Sequence, residues 1–320
     1  MSLLSRRDFL AAAAAATLAP ACRGRSGDVV RLGFMTNLTH APIIAGVVSG
    51  RIEKALGVRV EPRSFRAGPR VVEALIGDAI DVGTSGPSAI VFTHARHGAG
   101  ALRVLSGCSS GGASFVVAGR SGIAGPGDLR GKTLATPQIG TTQDISLRTY
   151  LHRHGYAPAE RGGDVTVHAL DAATILTEMK RGLLDGAWLP EPWATRTVLE
   201  ADAARLVDER DLWPAHMFPT ALLTARGRFV RDRPALAERL ARALADEVQR
   251  AIQSPAETCS LVNDELSRTL GKSLPLKLLE AAWPYVDFTS NPLPDALETI
   301  ATNATELGLA PPTTCKTLFG

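Results

Sequence analysis

Val29-Val30-Arg31-Leu32-Gly33-Phe34-Met35-Thr36-Asn37-Leu38-Thr39-His40-Ala41-Pro42 is the stretch on which the fold turns. The β-rich run from Val29 to Phe34 enters a polar loop, and the loop opens a segment, Ile43 to Leu56, with helical character. Thr39 or His40 stands near the cap, and Pro42 suits the first turn because it has no N–H to leave unsatisfied. A strand, a polar loop and a helix N-terminus together point free backbone N–H groups and the positive end of a helix dipole at a ligand.

The same unit recurs. Val58 to Pro62 reads as a strand, followed by Gly68-Pro69 and a helix through Val71, Val72, Leu75 and Ile76. Ile80 to Gly83 is a third strand; it runs into Thr84-Ser85-Gly86-Pro87-Ser88 and a helix from Ala89 to His94. Beyond the strand Leu102 to Ser106, the loop Gly107 to Ala113 reads as a bend where the chain leaves one sheet for another, whose first strand is Ser114 to Ala118. A second series then starts at Gly127-Asp128-Leu129-Arg130-Gly131-Lys132-Thr133-Leu134-Ala135-Thr136 and enters Pro137-Gln138-Ile139-Gly140-Thr141-Thr142-Gln143-Asp144 ahead of a helix. Alternation of β and α at this spacing predicts mainly parallel sheets flanked by helices, and 320 residues exceed one ordinary core.

In the second series, Leu184-Asp185-Gly186-Ala187-Trp188-Leu189-Pro190-Glu191-Pro192-Trp193 carries a buried-strand pattern into two prolines. These stop both helix and ladder, so Glu191 and Trp193 stand on a stiff turn at a strand end, where ligands of open α/β sheets sit. Trp188, on the strand itself, is expected in the core. Asp144 has two readings, because Thr141 three residues before it gives capping-box spacing.

A formal charge of +3 over the chain gives no basic surface for nucleic acid. Ser5-Arg6-Arg7-Asp8-Phe9-Leu10 before an Ala-rich apolar run has the layout of a twin-arginine export signal over residues 1–21, too short to span a membrane. Ala21-Cys22 resembles a lipobox end, which would acylate Cys22, anchor the protein to a membrane and leave 22–27 as a linker; Ala19-Pro20-Ala21 alternatively fits plain cleavage. Cys108, Cys259 and Cys315 remain, and Cys259 with Cys315 could pair in an oxidising compartment. No C-x-x-C, phosphate-loop or G-x-G-x-x-G motif occurs, and neither His94-Ala95-Arg96-His97 nor His152-Arg153-His154 has zinc-protease spacing. No metal, cofactor or catalytic group is therefore expected.

Three segments, Gly33 to Pro42, Asp128 to Gln138 and Gly186 to Trp193, together resemble the substrate-binding proteins of ABC importers that serve nitrate, taurine and aliphatic sulfonates. The resemblance implies a two-lobed periplasmic-binding-protein fold of type II: one lobe from 28–113 and 218–320, the other from 114–217, with crossings near Cys108–Ala113 and Met217–Pro219. It implies a receptor, monomeric, that hands a small ligand to a membrane permease. It places the cleft at Asn37, His40, Ser85, Ser88, Gly140, Thr141, Thr142, Glu191 and Trp193, and Asp144, beside them at the start of its helix, is a further ligand-binding candidate. Hydroxyls and helix N-termini there would hold an anion without a dedicated arginine, and a zwitterion such as taurine would reconcile that with Asp144 and Glu191. A pyrimidine stacked on Trp193, a related pyrimidine-forming enzyme and a sensory lipoprotein are the alternatives.

Overall fold

A computed structural model describes residues 29–271 and 273–319. The export signal, the linker and Cys22 lie outside the described residues. Two sheets organise the chain. The first has the order β11-β4-β10-β3-β1-β2, built from β1 (Val29–Met35), β2 (Arg59–Phe65), β3 (Val82–Ser85), β4 (Leu102–Gly111), β10 (Pro219–Arg226) and β11 (Val286–Phe288). The second has the order β7-β6-β8-β5-β9, from β5 (Ala113–Ala118), β6 (Thr133–Thr136), β7 (Thr166–Ala169), β8 (Gly186–Pro190) and β9 (Ala203–Asp208).

Both sheets are mixed in a specific way. β2, β1 and β3 pair in parallel, and β10 runs against β3 and β4. Likewise β7, β6 and β8 are parallel, and β5 runs against β8 and β9. The antiparallel strands β5 and β10 are the ones that follow the two passages between sheets. A chain entering a new sheet has no crossover helix to reverse it, so it joins antiparallel.

Helices α1 (Ala41–Val48), α2 (Arg51–Leu56), α3 (Gly68–Ile76) and α4 (Pro87–His97) follow the first three strands. In the second lobe α5 (Thr142–Arg153), α6 (Ala172–Arg181) and α7 (Trp193–Glu200) follow β6, β7 and β8. After β10 come α8 (Gly227–Asp232), α9 (Pro234–Gln253), α10 (Pro255–Leu270), α11 (Leu276–Ala282) and α12 (Pro294–Glu306). Leu236, Leu240, Leu244 and Val248 form the buried face of α9, each worth about 1.5–3 kcal/mol of burial. Each sheet carries a core on either face, and in the second lobe Trp188 lies at the centre of one of them, stacked on Phe115 with ring centroids 5.5 Å apart.

Two expectations need correction. The loop from Gly107 is not a loop at its start: Gly107 to Ser110 continue β4, and the passage narrows to Gly111 and Gly112, whose φ values of 67° and 70° only glycine adopts freely. Cys259 and Cys315 are both buried free thiols, one in each of the two cores on opposite sides of the first sheet, so they do not pair.

Candidate functional site

Parallel strands deliver the following helices with their N-termini at the same sheet edge. The two edges face each other across a chamber of about 490 Å³, which is lined by the N-terminal ends of α1, α3, α4, α5, α6 and α7. Its walls are mixed: Met35, Phe65, Pro137 and Trp193 supply apolar surface, and Asn37, Gln138 and Gln143 supply amides.

On the first lobe, Asn37 caps the short turn before α1. Its Oδ1 accepts from Thr39 N–H at 3.1 Å and from Thr39 Oγ1 at 2.5 Å. His40 is buried, with Nδ1 2.8 Å from Thr84 Oγ1. Burial drives its imidazole down to about 3, so it is neutral at physiological pH. A neutral ring offers a hydrogen bond without a charge. On the second lobe, Thr141 and Thr142 begin α5, and the Thr142 hydroxyl is buried with no partner. Trp193, at the first turn of α7, is partly buried with the Arg196 guanidinium 5.2 Å from its ring centroid. Asn37, His40, Thr141, Thr142 and Trp193 thus line the chamber as expected from sequence.

Ser85, Ser88, Gly140, Asp144 and Glu191 do not line it. Glu191 is wholly buried and turned into its own lobe: Oε1 meets Arg205 Nη2 at 2.5 Å, and Oε2 accepts from Thr195 N–H at 3.1 Å. Burial pushes its carboxyl upward, against the opposing pull of Arg205 and the Thr195 donors. The turn between Pro190 and Trp193, which includes a cis Glu191–Pro192 bond, points the carboxylate inward and the indole outward. Asp144 accepts from Thr136 Oγ1, Gly140 N–H and Arg148 Nε at 3.1, 2.9 and 2.9 Å, so it anchors the loop ahead of α5. Gly140 faces a separate groove on the outer side. Ser85 donates to the Gly68 carbonyl at 3.1 Å, and Ser88 lines a smaller cavity on the far side of Thr142.

Arg66 is a residue the sequence does not single out. It is exposed at the chamber wall, and among the described residues no carboxylate is paired to it; the one described carboxylate lining the chamber, Asp171, caps α6 through Ala173 and Thr174 N–H at 3.1 Å each. The pattern of residues predicts a strand that ends at Pro62, whereas β2 continues to Phe65 and delivers Phe65 and Arg66 to the cleft. The signal was present in Phe65 itself, an apolar residue beyond the proline.

The lobes meet around this chamber. A Cβ placed on Gly86 of the first lobe would come within 2.6 Å of Thr142 Oγ1 in the second. The two histidine pairs contribute nothing to the cleft: His94 Nε2 lies 3.0 Å from the Thr314 carbonyl, and His154 packs on Tyr150. Among the described residues no group of three His, Cys, Asp or Glu is placed to hold a metal ion.

Residues 26–262 match the NMT1-like family. The chain is 28% identical over 259 residues to the taurine-binding periplasmic protein of Escherichia coli (strain K12), covering 80% of this chain and 75% of that one. The crystal structure of the periplasmic aliphatic sulphonate binding protein SsuA from Escherichia coli shares its fold with a TM-score of 0.76, at 18% identity over 92% of each chain. The periplasmic nitrate-binding protein NrtA from Synechocystis PCC 6803 gives a TM-score of 0.73 at 17% identity, over 90% of this chain and 84% of that one. With two mixed sheets closing on a shared cleft and a family match across well over half its length, the chain belongs to the NMT1-like family and has the two-lobed fold of periplasmic solute-binding proteins.

Proposed function

We propose that the protein is the extracytoplasmic receptor of an ABC importer and captures a small organic anion, of the sulfonate class, between its lobes. The observation that carries this is the convergence of six helix N-termini on one chamber that also holds Arg66, which has no partner among the described residues. Oriented N–H groups and one guanidinium favour a negative headgroup. The relatives support the class, since they bind taurine and aliphatic sulphonates by name.

Two features refine the ligand. Asp144 and Glu191 lie outside the chamber, so neither calls for an ammonium group on the ligand, and the carboxylate that does line it, Asp171, is engaged as the cap of α6. A chamber of about 490 Å³ with Phe65, Met35 and Trp193 in its walls also suits an anion with an apolar body better than bare nitrate. Residues 28–113 with 218–320, and 114–217, act as the two lobes, hinged at Gly111–Gly112 and at the return to β10. Export through the twin-arginine signal and acylation at Cys22 would hold the receptor at the membrane beside its permease.

A thermal-shift panel tests the reading, with taurine, alkanesulfonates, nitrate, bicarbonate and pyrimidines added to the chain from residue 23 onward. An alkanesulfonate is expected to raise Tm, a ligand at a hundred times its Kd adding about 2.7 kcal/mol. Silence across the panel, or turnover of any member, refutes it.

A further inference from the structure

Glu209 opens a short turn after β9, and its carboxyl is buried. Trp188 Nε1–H donates to Oε2 at 2.8 Å, and Ser146 Oγ is in hydrogen-bond contact with Oε1. No cationic side chain pairs with it among the described residues. Ser146 Oγ also lies 2.9 Å from the Thr142 carbonyl. A hydroxyl has one hydrogen, and a carbonyl can only accept. With the Ser146 hydrogen directed to the Thr142 carbonyl, the contact to Glu209 is completed by a proton on Oε1, while Oε2 accepts from the indole. A neutral carboxylic acid satisfies every group in this chain of bonds. Burial pushes the Glu209 carboxyl up to about 8, against the opposing pull of the Ser146 and Trp188 contacts and with a small push from the charge of Asp208.

Beside Glu209 lies a cavity of about 60 Å³ that belongs to neither lobe alone. Thr142, Ser146 and Thr149 of α5 form one wall; Ser88 of α4, Phe218 and Asn303 of α12 form the other. The Ser88, Thr142 and Thr149 hydroxyls are buried there without partners among the described residues. Parting of the lobes therefore admits water to them and to Glu209 together. The titratable groups on the cavity besides Glu209 are Tyr150 and Arg153 of α5 and His154 just past its end, and α4 and α12 bring none. Asp208 is held by Arg210, Arg205 of β9 by Glu191, and His216 of the next turn is exposed beside Asp211.

We infer that Glu209 is a proton carrier at the lobe interface, neutral while the lobes are closed and ionised when they part, so that ligand capture takes up a proton. The closed form holds the proton more tightly than the open one. Closure is therefore strongest at and below the ordinary carboxylate range, weakens by up to about tenfold per pH unit as pH rises through the window ending near 8, and then levels off. The link to capture, though not the proton itself, rests on the receptor reading.

A locked chain separates the two. A Cβ at Gly86 lies 3.7 Å from Thr142 Cβ, within the range spanned by a disulfide, so Gly86→Cys/Thr142→Cys fixes the lobes closed when oxidised. The Glu209 carboxyl carbon resonance, assigned by its absence in Glu209→Gln, is expected to titrate near 8 in the oxidised chain and near the ordinary value of about 4.3 in the reduced, ligand-free chain. Equal midpoints in the two forms overturn the inference. Calorimetry with 1-hexanesulfonate in two buffers of different ionisation enthalpy then reads proton uptake near neutral pH. Uptake is expected for the native chain and not for Glu209→Gln, whose amide can reproduce both hydrogen bonds; binding with no uptake in the native chain overturns the link to capture. If the locked chain titrates as expected but hexanesulfonate and the rest of the solute panel give no heat, the receptor reading fails and the proton carrier stands.

Discussion

Glu191 Oε1 and Arg205 Nη2 meet at 2.5 Å inside the second lobe, and the same guanidinium lies 3.5 Å from the ring centroid of Tyr285 in the first. The pair fixes the Pro190–Trp193 turn from behind and stacks across the interface, so it shapes the cleft without entering it. Arg205→Met should leave a buried carboxylate unpaired and lower the free energy of unfolding by about 3–5 kcal/mol in urea denaturation. A loss below about 1 kcal/mol, the worth of an exposed pair, would mean that Glu191 is solvated.

Arg66 offers the opposite behaviour. Because Arg66 is exposed and has no partner among the described residues, Arg66→Gln should change stability by no more than about 0.5 kcal/mol. Its effect belongs to binding: a charged hydrogen bond is worth about 1.5–3 kcal/mol, or roughly tenfold to a hundredfold in Kd. Calorimetry with 1-hexanesulfonate checks this, and an unchanged Kd removes Arg66 from the site.

The two tryptophans of one short stretch divide the same way. Trp193→Ala should weaken binding about tenfold or more while the lobe stays folded, because its ring is only partly buried. Trp188 is fully buried against Phe115 and Tyr150, and Trp188→Ala should cost about 3–5 kcal/mol of stability. Paired urea and binding measurements on both variants settle it; equal stability losses would put Trp193 in the core.

Gly86 tests closure. An added methyl meets Thr142 Oγ1 across the cleft at 2.6 Å, while the next neighbour in its own lobe is the Thr220 carbonyl at 3.8 Å. Gly86→Ala should therefore leave the ligand-free fold intact and disfavour the closed form by about 1–3 kcal/mol, as overpacking does. Adding Thr142→Ala should restore most of the lost affinity. Equal affinity of Gly86→Ala and the native chain would show that the ligand is held without this contact.

His40 governs the acid side. Its imidazole titrates at about 3 in the folded chain against 6.5 ordinarily, so the unfolded chain binds more protons between those values. The stability it contributes is fully present above about 6.5 and falls by up to about 1.4 kcal/mol per pH unit as pH drops toward 3. Urea denaturation between neutral pH and the onset of acid unfolding should show this slope, and His40→Gln should flatten it; identical slopes would show that His40 is solvated.

The sequence by itself determined the alternation of strand and helix, the two series and the polar loops at which helices begin. All are local: periodicity, proline and glycine act over a few residues, and a parallel strand needs a helix to return the chain. Asn37, His40, Thr141, Thr142 and Trp193 were legible for that reason, since each sits at the junction of a strand and a helix. Only the tertiary structure decided which way side chains at those junctions point. Glu191 and Asp144 occupy junctions too, but Arg205 lies 14 residues from Glu191 in the chain and Arg148 one helical turn beyond Asp144, and both draw their carboxylates away from the cleft. A buried carboxylate turns to whatever counter-charge the fold brings within reach, and folding the chain into sheets sets that partner.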